Sequence, residues 1–338
     1  MSASTQKRRT VAVLGATGAV GQSFVKLLYG HPWFDLVCVA ASERSAGKPY
    51  IEAAKWLSTE AMPDSIANMT VAPCDPNKVD AELVFSALDS SVAGEAEAAF
   101  AKAGRFVLSN AKNYRMDPDV PLVIAEVNPD HLDILESQQK RRGWKGGIIT
   151  NGNCVAIVGA LPLAPIQQTF GISRVFAATM QAVSGAGYPG VPSLDILGNV
   201  IPLIKDEEPK IETELQKFLG TPRNGVIESA PFKVSSHANR VAVEHGHTIC
   251  MSIELVKKAS PDEVSAAVAE WTGSAEARGL PSAPERPVQM AVSPDRPQPR
   301  LDVNAGKGMT VTVGRIRADT IFDIRMVEIG RASCRERV

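Results

Sequence analysis

Thr10-Val-Ala-Val-Leu-Gly15-Ala-Thr-Gly18-Ala-Val-Gly21 is the stretch on which the fold turns. A short apolar strand runs into glycines at 15, 18 and 21. Val20, Phe24, Leu27 and Leu28 then share one face of a helix reaching about Tyr29. Strand, glycine turn and helix in that order bring backbone amides and a helix N-terminus close enough to hold a pyrophosphate. The GxxGxxG spacing is a variant of the dinucleotide loop, and its place between strand and helix gives it meaning. The next strand, Leu36–Ala40, leads into Ala41-Ser42-Glu43-Arg44-Ser45. An NAD site would use an acidic side chain there on the ribose hydroxyls. Ser42, Ser45 and Arg44 instead suit a 2′-phosphate, so NADP is the expected cofactor.

Working outward, strands are expected at Leu83–Ser86, Phe106–Ser109, Leu122–Ile124 and Ile148–Thr150, with helices at Val92–Ala103 and Pro129–Lys140 between them. Such alternation predicts a Rossmann-like α/β domain with a parallel sheet. After a helix at about Val155–Phe170 the pattern changes to long β-rich runs: Ser173–Val183, Val226–Ser235, Thr248–Val256 and Met309–Arg317. Ser260-Pro-Asp-Glu263 opens a further helix with a capping signature. The second unit is thus expected to be α+β, with a mainly antiparallel sheet. Pro281–Arg300 holds six prolines and is expected to cross the second domain as an extended arm. At about 150 residues per domain, 338 residues make two. We expect 1–153 to bind the nucleotide and 154–327 to form a catalytic and dimerisation domain.

Lys+Arg 36 against Asp+Glu 37 leaves a formal charge of -1, with no basic excess to attract nucleic acid or an anionic membrane. The longest apolar stretch, Val155–Ile166, contains Pro162 and Pro165 and falls short of a membrane span. MSASTQKRRT leads into the glycine-punctuated strand rather than a signal-peptide core, so a cytoplasmic protein is expected. The five cysteines form no CxxC pair, which argues against a disulfide framework or structural zinc.

Cys154 differs from the other four. It follows Thr150-Asn-Gly-Asn153, where a strand ends, and opens the apolar helix. A thiol at a helix N-terminus feels unpaired amides and the positive end of the dipole, which favour its thiolate. The same amides, with the Asn153 side chain, suit a developing oxyanion. Arg240-Val-Ala-Val-Glu-His245-Gly-His247 supplies a base of ordinary pKa near ~6.5. His245 and His247 are also metal-ligand types, but spacing supplies no third ligand. His31, His131 and His237 read as surface or turn residues. GATGxxG also opens short-chain reductases, whose pair is Tyr-x-x-x-Lys. Four residues after Tyr29, Tyr50, Tyr114 and Tyr188 stand Trp33, Ala54, Pro118 and Pro192, which excludes that class. A nicotinamide loop with a Cys/His pair points to thiolate addition to an aldehyde, hydride transfer to NADP, and cleavage of the thioester by water, phosphate or coenzyme A.

The segments VAVLGATGAVGQ, AASERSAGK, SNAKNYRMDPDVPLVIAEVNPDHL, TNGNC, QAVSGAGYPG, HANRVAVEHGHT and PDRPQPRLD together resemble the aspartate-β-semialdehyde dehydrogenases of archaea and fungi, from Val11 to about Val327. The resemblance implies reversible, phosphate-dependent oxidation of L-aspartate 4-semialdehyde to L-4-aspartyl phosphate with NADP. The reverse direction serves lysine, methionine, threonine and isoleucine biosynthesis. It also implies Cys154 as nucleophile, His247 as acid/base, and Arg240 as partner of the substrate carboxylate. Gln181 and Asn153 would orient the substrate, Glu208 hold its amine, and Arg115 and Lys210 hold phosphate. Gly15, Thr17, Gly18, Ala19 and Val20, with Ser42, Arg44 and Ser45, would hold the nucleotide, and Ser184, Gly185 and Gly187 would border the nicotinamide. No metal is implied, and a homodimer or homotetramer is. Gly152 and Val155 stand where the family commonly has Pro or Ser and Ser or Thr. Reductases of malonyl-CoA type share this architecture and form the alternative. From another class, a non-catalytic NADP sensor would make no use of Cys154 and His247.

Glu328-Ile-Gly-Arg-Ala-Ser-Cys-Arg-Glu-Arg-Val338 is unlike the family's ending and resembles a translated sequencing adapter, so 328–338 is expected to be a non-native tail.

Overall fold

The computed structural model describes residues 7–331. Strands β1 (Arg9–Leu14), β2 (Phe34–Ala41), β3 (Ala72–Pro73), β4 (Leu83–Ser86), β5 (Phe106–Ser109) and β6 (Gly147–Thr150) form one parallel sheet in the order β3-β2-β1-β4-β5-β6. This is the strand order of doubly wound nucleotide-binding sheets. Alternation along β1 shows why both faces are covered. Val11 and Val13 pack with Phe24, Val25 and Leu28 of helix α1 (Ala19–Leu28). Ala12 and Leu14 turn the other way, onto Phe100 of helix α2 (Ser90–Lys102).

Helix α3 (Leu135–Arg142), preceded by a 3-10 turn at Pro129–Ile134, leads into β6. Two sequence expectations change here. Leu122–Ile124 forms no strand; Leu122 makes a single bridge to Thr150. His131 is fully buried rather than exposed, with Nδ1 3.0 Å from the Leu122 carbonyl. Burial pushes its pKa below the ordinary value. It fills a space closed by Asn128, whose amide nitrogen donates to the carbonyls of Leu122 and Phe218, both at 3.0 Å.

Helix α4 (Cys154–Phe170) is apolar on all sides and almost wholly buried, as a helix at the centre of a domain must be. The second sheet wraps it. Its strands are β7 (Ile172–Gln181), β8 (Val200–Ile201), β11 (Lys233–Val241), β12 (His247–Leu255), β13 (Val288–Met290), β14 (Val311–Ala318) and β15 (Ile324–Gly330), in the order β13-β14-β15-β12-β7-β11-β8. The β7–β11 and β13–β14 pairs are parallel and the other four antiparallel. The expected run Val226–Ser235 is divided. Thr221–Arg223 (β9) and Val226–Glu228 (β10) make a separate hairpin, and β11 starts only at Lys233. Helices α5 (Glu207–Phe218) and α6 (Pro261–Glu270) pack on α4, the latter opened by the Ser260–Glu263 capping box. Within Pro281–Arg300, Val288–Met290 joins the sheet edge as β13 and the next helical turn begins at Pro299.

β15 runs three residues past Val327, where the second domain was expected to end, because Glu328, Ile329 and Gly330 pair with Ile249, Thr248 and His247. Glu328 is fully buried with neither carboxylate oxygen hydrogen-bonded, and burial holds its pKa well above the usual range. Residues 332–338 of the expected tail lie outside the described residues. Among the described residues no helix is long and apolar enough to cross a membrane.

Candidate active site

Gly15 ends β1 with φ 71°, and a Cβ there would lie 2.6 Å from the Ala87 carbonyl oxygen. At Gly21 a Cβ would meet the Gly15 oxygen at 2.2 Å, so only glycine lets α1 lean this closely on the strand. Gly18 caps α1 without a side chain, leaving first-turn amides open to an anion beside Thr17, Ala19 and Val20. Two groups absent from the sequence reading fix this loop. The Tyr50 hydroxyl donates to the Ala16 carbonyl at 2.6 Å. Gln22, buried, donates to the carbonyls of Thr17 and Lys55, both at 2.9 Å. Next to the loop, β2 turns at Ser42, whose carbonyl accepts from Ser45 N at 2.9 Å. Ser42 and Arg44 are exposed at this strand end. Glycine cradle, open helix terminus and exposed arginine fit a phosphorylated dinucleotide.

Cys154 is the first residue of α4, with its thiol half-buried. Asn153 caps the helix, its Oδ1 accepting from Val155 N at 2.9 Å and Ala156 N at 3.1 Å, while Nδ2 donates to Glu207 Oε1 at 2.8 Å. An amide nitrogen carries two hydrogens, so this bond leaves one for a ligand oxygen. Val155 is buried in the core and Gly152 lies against Phe218, where a Cβ would come within 2.2 Å of Cζ. A side chain at 152 would therefore require that ring to move.

His247, fully buried, begins β12, and its Nδ1 accepts from Ala182 N at 3.0 Å. The neutral ring therefore carries its proton on Nε2. Arg240 Nη1 donates to the Ala182 carbonyl at 2.7 Å. Burial lowers the Arg240 pKa, while the Cys154 thiol and the Glu207 carboxylate act on its charge. Gln181, buried, lies beside Arg240 in the parallel pairing of β7 and β11. Gly185 covers the pair: a Cβ there would stand 2.9 Å from His247 Cε1 and 3.0 Å from Arg240 Nη1. Ser184 and Gly187 continue that turn.

Glu208 is engaged by the second sheet. Its Oε1 accepts from Ala238 N at 3.1 Å, on β11, whereas the preceding residue, Glu207, is buried and faces Asn153 and Arg240. One residue rotates a helical side chain by about 100°, so only one of two adjacent glutamates can look into the cleft. The signal was the three-residue spacing from Glu207 to Lys210, whose Nζ lies 3.5 Å from the Glu207 carboxylate. Arg115 is buried, its Nη1 3.0 Å from Glu214 Oε1 and its Nη2 2.8 Å from the Asn110 carbonyl. Burial pushes the Glu214 pKa up while Arg115 and the Asn153 amide pull it down. His245 is exposed beside Glu244, and among the described residues no three metal-ligating side chains cluster.

Residues 10–135 match the family described as semialdehyde dehydrogenase, NAD binding domain, and residues 163–330 that described as semialdehyde dehydrogenase, dimerisation domain. The aspartate-semialdehyde dehydrogenase of Archaeoglobus fulgidus is 49% identical over 97% of this chain and 94% of its own length. That of Schizosaccharomyces pombe is 46% identical over 95% and 92%. The crystal structure of aspartate semialdehyde dehydrogenase with NADP from Candida albicans superposes with a TM-score of 0.89 at 40% identity, covering 98% of this chain and 95% of that one. With a glycine loop after β1, a cysteine at a helix start after β6, and relatives alike over nearly their whole length, this chain belongs to the aspartate-semialdehyde dehydrogenase family.

Proposed function

We propose that this chain oxidises L-aspartate 4-semialdehyde reversibly to L-4-aspartyl phosphate, using NADP and inorganic phosphate. One observation carries the reading: Cys154 opens α4 on a cap, Asn153, that also binds Glu207, with Arg240 under the influence of both thiol and carboxylate. In the oxidative direction the Cys154 thiolate adds to the aldehyde carbon. The new oxyanion is received by the remaining Asn153 N–H at the positive end of α4. His247, with its proton on Nε2, donates a hydrogen bond to that oxygen while hydride leaves C4 and the thioester forms. NADP, when bound, supplies the hydride acceptor. The resulting thioester is attacked at its acyl carbon by phosphate, and the Cys154 thiolate leaves. Arg240 pairs with the substrate carboxylate, Gln181 orients the chain, and Glu207 faces the amine. Arg115 and Lys210 hold the incoming phosphate.

Arg44 and Ser42, exposed beside the glycine loop, support NADP over NAD. Synthesis of lysine, threonine, methionine and isoleucine in the cytoplasm is the setting we infer, a compartment that keeps the Cys154 thiol reduced. A homo-oligomer is the assembly we infer, and the second sheet supports it: Ala178, Cys250 and Val327 lie abreast on a half-open face, away from α4. The test is phosphate-dependent reduction of NADP with aspartate semialdehyde, run beside Cys154→Ala. Activity that needs phosphate and vanishes in the variant supports the reading. Activity only with malonyl-CoA, or retained in the variant, overturns it.

A further inference from the structure

Helix α5 carries charge where a packed helix normally carries apolar side chains. Ile211, Leu215 and Phe218 form its core stripe, yet Glu207, Glu214 and Lys217, a turn or two apart along a neighbouring stripe, are also buried. Glu214 is 1% exposed and comes from the second domain. Its two oxygens take different partners: Oε1 accepts from Arg115 Nη1 at 3.0 Å, and Oε2 accepts from the backbone amide of Asn153. One carboxylate thus joins the arginine assigned to phosphate with the residue that caps the nucleophile's helix.

The loop bearing Arg115 is gripped along its length. One turn after Glu214, the Lys217 ammonium donates to the carbonyls of Arg115, Asp117 and Val120 at 2.6, 2.7 and 2.8 Å. Burial lowers its pKa to about 8. At the start of α5, Asp206 lies 3.5 Å from Lys112 Nζ. From the opposite side Arg142 holds Asp117 at 2.8 Å and Asp119 at 2.7 Å. With the loop's backbone fixed by these contacts, the direction of the Arg115 guanidinium is set by Glu214 and the Asn110 carbonyl.

We propose that Glu214 is a positioning residue that sets the distance and orientation between phosphate-binding Arg115 and the Cys154 helix cap, and so registers the phosphate nucleophile on the thioester. The proposal rests on the function given above. A carboxylate is suited to this because both oxygens accept; a glutamine would turn an NH₂ toward one of two N–H donors. Arg115 otherwise has rotamer freedom to lose each time phosphate binds.

The experiment compares wild type, Glu214→Gln, Arg115→Gln and the double variant by initial rates of NADP reduction against inorganic phosphate and, separately, against semialdehyde. Glu214→Gln should raise the phosphate KM about tenfold while the semialdehyde KM stays within about twofold, since the charge-assisted bond orients only the phosphate side. The double variant should be no worse toward phosphate than Arg115→Gln alone, because the two residues act as one unit. Equal changes in both KM values, or additive effects, would reduce Glu214 to a packing role. An unchanged phosphate KM would sink the proposal outright. If Glu214→Gln does not fold, Glu214→Asp keeps the charge but shortens the reach, and should raise the phosphate KM selectively; no selectivity there overturns the proposal. A wild-type rate indifferent to phosphate would instead refute the function on which it stands.

Discussion

The backbone amide of Ala182 donates to Nδ1 of His247, and the carbonyl of the same residue accepts from Arg240. A single peptide residue therefore orients both the imidazole and the guanidinium to which the proposed function assigns substrate contacts. The turn that follows Ala182 brings Gly185 down onto both side chains.

Gly185→Ala tests that arrangement. The added Cβ would stand 2.9 Å from His247 Cε1 and 3.0 Å from Arg240 Nη1, closer than side chains pack without moving. Displacing a catalytic group by a fraction of an ångström to an ångström costs about 10²-fold in rate. We expect kcat/KM for semialdehyde to fall by roughly that factor while the melting temperature is little changed, because the turn belongs to the cleft rather than the core. Steady-state kinetics and calorimetry on one preparation check both halves.

Arg44→Glu addresses the cofactor. Exposed at the end of β2, beside the loop that begins at Gly15, Arg44 is placed to meet a 2′-phosphate, and reversing its charge should repel it. The ratio of kcat/KM with NADP to that with NAD should drop by about tenfold or more, equivalent to roughly 1.4 kcal/mol. An unchanged ratio would assign NADP preference to other residues.

Glu328 offers a stability test with a defined pH dependence. Its carboxyl is fully buried near Gly159 of α4, with neither oxygen hydrogen-bonded. An unfolded glutamate ionises near ~4.3, whereas burial keeps the folded one protonated to higher pH. The folded state thus binds the extra proton, and stability is lost as pH rises from ~4.3 toward the raised folded value. Glu328→Leu should stabilise the protein at pH 7 by on the order of 2 kcal/mol, raising the melting temperature by roughly 3 °C. The gain should shrink toward pH 4, and a gain independent of pH would exclude ionisation as its cause.

Features carried by periodicity and spacing were legible in the sequence. β1 through α1 reads directly from alternating apolar residues and three glycines, and Cys154 from its place between a strand end and an apolar helix. That Glu207 rather than Glu208 lies against Asn153 was not legible, because adjacent glutamates differ only in helical phase, which is settled by what α5 packs against. His131 looked solvent-facing because a polar residue in a turn usually is; its burial depends on Asn128 and on carbonyls from distant Leu122 and Gly220. Gln22 and Tyr50 stabilise the nucleotide loop from positions 33 to 34 residues away from their partners, Lys55 and Ala16, contacts that no local pattern encodes.

Gly152 explains itself only through such a distant contact, and this gives the last prediction. Phe218 Cζ occupies the place of its missing Cβ, with Glu214 Oε2 3.0 Å away on the same side. Gly152→Ser should therefore overpack the junction between β6 and α4 and destabilise the fold by about 2 kcal/mol. Phe218→Leu alone should also destabilise, by leaving space in a core where the ring is fully buried. Combined, each change relieves the other: the serine fills part of what the ring vacates. The double variant should lose less stability than the sum of the singles, by about 1 kcal/mol in urea unfolding. Strict additivity would mean that the ring does not determine the glycine, and that the tight approach is accommodated by backbone movement at Asn151–Asn153.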